Sequence, residues 1–129
     1  MKHRILITIS VFLLVFAVTP AFADNSELAK EVMDIHDVAM ARMTDMHELK
    51  LELLALEKKS GPTEQTTAAI NSLQDASKGM MVWMRQYKHP KTPAELQNAQ
   101  EYLLSEKVKI QEVSDAMFSS IDTAEKLLK

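Results

Sequence analysis

Cysteine is absent from the 129-residue chain. Its absence excludes disulfides, thiolate metal sites, covalent haem attachment and a lipid anchor on an N-terminal Cys. Glycine occurs only twice and proline four times, so neither a phosphate-cradling glycine loop nor a Gly-flanked nucleophile elbow can be built. Aromatic residues are 5% of the chain, too few to enclose a haem held by one His and one Met. No E-x-x-H occurs, which removes the ligand set of a di-iron bundle. Acidic side chains outnumber basic ones, 18 to 15, and a basic patch for nucleic acid is missing. Carboxylates at helical spacing, such as Asp34/Asp37 and Glu48/Glu52, are mixed with Lys and Arg and read as a solvated face. No enzyme is expected.

What is present begins with a targeting pattern. Lys2, His3 and Arg4 precede an apolar run from Ile5 to Val18, and Ala21-Phe22-Ala23 supplies an A-x-A site just after Pro20. The expectation is a signal peptide, residues 1–23, cleaved after Ala23. A retained anchor fits less well, because this run of fourteen residues spans only about 21 Å of helix against a hydrocarbon core of roughly 30 Å. The product, residues 24–129, is expected to be soluble in the periplasm or secreted, with no stable membrane anchor after cleavage.

Glycine and proline cut the remainder at two places, Ser60-Gly61-Pro62 and Lys88-His89-Pro90-Lys91-Thr92-Pro93. Between them run apolar seams stepped by four and three. The first is Leu28, Val32, Ile35, Ala39, Arg42, Met46, Leu49, Leu53 and Leu56; the second Ala69, Leu73, Ala76, Met80, Trp83 and Tyr87; the third Ala99, Leu103, Glu106, Ile110, Val113, Met117, Ser120, Ala124 and Leu127. The spacing predicts helices over about 25–59, 63–88 and 93–128. The fold class is all-α, an up-down-up antiparallel three-helix bundle with coiled-coil-like packing. Asp24 with Glu27 is expected to cap the first helix, Gly61 to end it, and Thr92-Pro93-Ala94-Glu95 to open the third. Gly79 inside the second marks a close helix contact. Counting along the helices puts Trp83 level with Ala39, and leaves Arg42 and His47 as alternative partners for Glu106.

The one chemically suggestive stretch is Glu31 to Lys50, where His36, Met40, Met43 and His47 repeat as H-x3-M-x2-M-x3-H on one side of a helix. Thioether plus imidazole suits Cu(I), and an i,i+4 pair brings both to one point. His36 with Met40 and Met43 with His47 form two half-sites, with the two histidines roughly 16 Å apart along the axis, and Met80, Met84 or Met81 could complete one from the second helix. Against this, Met stripes at heptad spacing are ordinarily packing. The third helix is expected to outrun the second, leaving Met117, Phe118, Ile121 and Leu128 as an apolar overhang for a protein partner or a homodimer.

The runs Glu31-Val32-Met33, Ile35-His36-Asp37, Met40 and Met43; then Ala76, Met80-Met81, Trp83-Met84-Arg85, Tyr87 and Pro90; then Tyr102-Leu103, Glu106-Lys107, Lys109-Ile110, Val113, Met117 and Ser120-Ile121 resemble a family of short exported helical proteins of Bacteroidota-type bacteria, often mislabelled viral A-type inclusion proteins. That family has no established activity, so the resemblance implies shape and export alone. Its members often carry a lipoprotein Cys, which this chain lacks. The expected function is an exported, non-enzymatic helical protein acting by protein interaction or client binding. The alternative is a soft-metal protein holding copper through His and Met ligands on the first two helices.

Overall fold

The computed structural model describes residues 22–129. Among them the chain is all-helical, with α1 at Phe22–Met40, α2 at Met43–Ser60, α3 at Glu64–Gln86, α4 at Pro93–Gln97 and α5 at Gln100–Leu128. Most of the expected signal peptide lies outside the described residues. Phe22 and Ala23 already belong to α1, so Asp24 is inside the helix and does not cap it.

Two of the expected helices are each broken in two. The first breaks at Ala41 and Arg42, where the Arg42 N–H donates to Ala39 C=O at 3.0 Å, a tighter i,i+3 bond, and α2 restarts with the Met46 N–H on Arg42 C=O. Arg42 is the polar member of the first seam. At the break its guanidinium leaves the core, meets the Asp45 carboxylate, lies 3.7 Å from Glu125 and sits 5.7 Å from the centroid of the Phe118 ring. The third breaks at Asn98 and Ala99. Thr92 and Glu95 form the expected capping box and Pro93 opens the first turn of α4, but this helix ends after five residues.

Elsewhere local sequence signals hold. Thr63 caps α3 by accepting from the Thr66 N–H, and Glu57 on α2 ties the turn together by accepting from the Thr66 and Thr67 hydroxyls. Gly61 ends α2 with φ 85°, a conformation that residues with a Cβ rarely adopt. Gly79 is different. A Cβ there would meet nothing within 4 Å, so the close contact expected of it is absent among the described residues.

α5 packs against α1, α2 and α3, and α2 packs against α3. The core alternates along the first seam: Val32, Ala39, Met46 and Leu53 are fully buried while Leu28, Ile35, Leu49 and Leu56 are half-buried. Leu73, Met80, Leu103, Ile110 and Met117 complete it, and each such side chain contributes about 1.5–3 kcal/mol by leaving water. Asn25 joins α1 to α4, its amide donating to Leu96 C=O at 2.7 Å and to Gln97 C=O at 3.4 Å.

The expected apolar overhang does not exist. Met117, Ile121 and Ala124 are buried, Phe118 is half-buried under Arg42, and Leu127 and Leu128 pack against the core. The physical reason is the second break: α4 turns residues 93–97 aside against α1, so the third seam starts later than an unbroken helix would and has no surplus length. The same shift moves Glu106 along the bundle. It pairs with neither Arg42 nor His47, but with Trp83 and Lys109.

Candidate functional site

Two groups of side chains have chemistry beyond packing. The first is the His/Met run. Because the helix breaks between Met40 and Met43, its four members are divided between α1 and α2. His36 is largely buried, its ring 5.6 Å from that of Trp83 and its Nδ1 2.8 Å from an Asp37 carboxylate oxygen. Met40 and Met43 are half-buried against the core. Met80 is wholly inside it, Met84 is exposed on α3, and His47 is exposed on α2. Met43 and His47 do share a surface depression of about 310 Å³, with Met46, Lys50, Gln74 and Ser77; His36 is not part of it. Among the described residues no cluster of three or more His, Asp or Glu side chains is placed to hold a metal ion.

The second group is assembled from α1, α3, the α3–α4 connection and α5. Trp83 is 5% exposed, and its indole N–H donates to Glu106 Oε2 at 2.8 Å. Glu106 is itself buried, and its other oxygen accepts from Lys109 Nζ at 3.0 Å. The carboxylate thus keeps a hydrogen-bond partner on each oxygen, which a buried charge needs. Lys109 reaches it with an exposed side chain, so the pair is neutralised at the edge of the core.

Trp83 is also one member of a ring ladder. Tyr87 stacks on it with centroids 4.6 Å apart and planes 15° apart, and Tyr102 lies parallel to Tyr87 at 6.2 Å and 7°. His36 covers the other end, and His89 meets Tyr87 edge-on at 6.0 Å. Burial, helped by Tyr102 and by the charge of Glu106, pushes the Tyr87 phenol up to about 12. The Tyr102 hydroxyl accepts the Lys88 backbone N–H at 2.8 Å and so pins the α3–α4 connection to α5. Outside the ladder opens a cleft of about 760 Å³, its walls including Tyr87, Tyr102, Lys88, His89, Lys91 and Glu95. Pro90 and Ala99 also line it and are buried.

From the sequence, Glu106 stands out as a polar interruption of a seam, and the chain's only indole N–H was available to satisfy it. The placement of Trp83 near Ala39 was correct within a turn, since it meets His36. Tyr87 and Tyr102 carried one usable signal: the only two tyrosines in the chain flank the Lys88–Thr92 connection on either side. No family model, curated protein or solved structure matches the chain.

Proposed function

We propose that this is an exported, non-enzymatic protein that acts by binding another protein, built as an antiparallel up-down-up bundle of three arms. In this architecture α1 with α2 forms the first arm, α3 the second and α5 the third, with α4 as a short corner. Contacts that run in opposite order support it: Thr66 of α3 meets Glu57 of α2 while Trp83 meets His36 of α1 and Glu106 of α5. Export rests on the residue pattern of the first 23 positions, and accords with the resemblance to short exported helical proteins. No helix among the described residues is long and apolar enough to cross a membrane.

The observation that carries the binding reading is the cleft beside Tyr87 and Tyr102, where half-buried rings meet exposed cations. Tyrosine of this kind gives large contact area with few torsions to freeze, as at protein-binding surfaces. The other polar chemistry is committed to structure, Glu106 to Trp83 and Lys109, Glu57 to the α2–α3 turn. A photo-crosslinking residue at position 91, in cells that produce the protein, tests the reading. A defined adduct with one protein, absent when the probe is moved to position 58 at the far end of the molecule, is the expected result; identical labelling from both positions removes it.

A second reading, soft-metal binding, keeps one specific observation: Met43 and His47 open into the same depression. Thioether and imidazole there would hold Cu(I) as a two-ligand site. Cu(I) titration of the exported protein against a coloured chelator, beside a Met43→Ala/His47→Ala variant of unchanged helicity, tests it. Uptake of one equivalent that the variant loses is expected on this reading, and equal competition by both proteins ends it.

A further inference from the structure

Resting on the reading that the chain works by binding, we infer that the cleft beside Tyr87 and Tyr102 takes an acidic peptide segment carrying an aromatic side chain. The charge of the cleft points to the acid. Lys88 and Lys91 are exposed, and no carboxylate lies within ion-pair distance of either amino group among the described residues. The one carboxylate in the lining, Glu95, is already committed: its Oε2 accepts the backbone N–H groups of Lys91 and Thr92 at 2.6 and 3.2 Å. With Lys88 and Lys91 against Glu95 the lining keeps one net positive charge, on a chain whose formal net charge is −3, and with both amino groups free of ion pairs it favours an acidic segment over a basic one.

The rings point to the aromatic side chain. Tyr87, stacked on Trp83, and Tyr102, parallel to it, are half-buried in the lining, so the cleft offers aromatic surface to a ring of the segment, and aromatic contact of this kind adds to area burial. The Tyr102 oxygen already accepts the Lys88 N–H, which leaves its own proton to donate to a carboxylate of the segment. A peptide fits better than nucleic acid, because two lysines and a histidine make a patch and not the basic stripe that successive phosphates require. The site is open to solvent, which suits a segment of chain better than a free small acid, since small-molecule sites enclose their ligand on most sides.

The test uses the exported protein and four fluorescent hexapeptides, read by anisotropy: acidic with a Tyr, acidic with Ala in its place, Asn/Gln-based with a Tyr, and Lys-based with a Tyr. Saturable binding of the first is expected, about tenfold tighter than the third, from two exposed charge contacts. Lys88→Gln/Lys91→Gln should bring the first and third peptides to equal affinity, while Lys58→Gln/Lys59→Gln leaves the tenfold ratio in place. All four lysines are exposed, so neither variant threatens the fold. Replacing the peptide's Tyr by Ala should cost a further severalfold. Indifference to the peptide's charge, or an unchanged ratio in the Lys88/Lys91 variant, overturns the inference. If position 91 still crosslinks to one protein in cells while the acidic peptide does not bind, the binding reading survives and the acidic, ring-bearing segment is wrong.

Discussion

The His/Met run on α1 and α2 and the ring ladder on α3 and α5 are opposites. The run is conspicuous along the chain, four ligand-type residues within twelve positions, yet the fold divides it between two helices and sends its members to a ring face, the core and the surface. The ladder is inconspicuous along the chain, with Trp83 and Glu106 separated by 23 positions, yet the fold assembles it to hydrogen-bond distance. Spacing within a helix says which side chains share a face only while the helix continues. Which faces then meet depends on where each helix starts, and here both decisive points are breaks.

If the ladder is where the molecule is knitted together, Trp83→Ala should have the largest effect. It empties a site that is 5% exposed and strands the Glu106 carboxylate, so about 3–5 kcal/mol of stability should go, read as a lower midpoint in urea. Glu106→Leu should lose about 1–3 kcal/mol by leaving the indole N–H without an acceptor. Glu106→Gln, which keeps an oxygen there, should lose less than Glu106→Leu in the same assay.

The two histidines sharpen the comparison directly. His36→Ala should cost on the order of 1 kcal/mol through its contact with the Trp83 ring, and His47→Ala, exposed on α2, should stay within about 0.5 kcal/mol. Equal costs would mean that the run acts as one unit after all.

The legible part of the fold was whatever rests on local chemistry. Thr63, Thr92 with Pro93 and Glu95, and Gly61 are all recognisable as stops and starts, and the seam positions are buried or half-buried. The breaks at Arg42 and Asn98 were not legible, because neither carries Gly or Pro. Arg42 did interrupt its seam, which is the signal that was there: a guanidinium at a core position must leave it, and here the helix parts to let it reach Asp45 and Glu125. The break at Asn98 left no such mark, and the error it introduced propagated into the supposed overhang at Met117–Leu128 and into the partner of Glu106. The His/Met depression was half legible, since Met43 and His47 share it and His36 does not.

Smaller effects probe the remaining contrast, between helix faces that are covered and one that is not. Gly79→Ala should stabilise by about 0.4–1 kcal/mol, because the new methyl meets no neighbour and the backbone loses freedom only in the unfolded chain. A fall in stability would reveal a contact at this position that a single chain does not make. Last is the titration of Tyr87. Its folded phenol, raised to about 12 from an ordinary 10, stays neutral longer than in the unfolded chain, so its contribution is complete below pH 10 and is lost as pH rises through about 12. Absorbance at 295 nm should show a late phenolate step that Tyr87→Phe abolishes.

The ladder has one more consequence, and it is photophysical. The chain has a single tryptophan, and that indole sits in the core, stacked on Tyr87 and hydrogen-bonded to Glu106. Its emission is therefore the signal of one chromophore in one environment, with Tyr87 close enough to pass excitation to it. A tilt of Tyr87 or Tyr102 at the cleft changes that transfer and the shielding of the ring without any dye attached. The protein thus contains its own optical gauge of the packing beside the cleft.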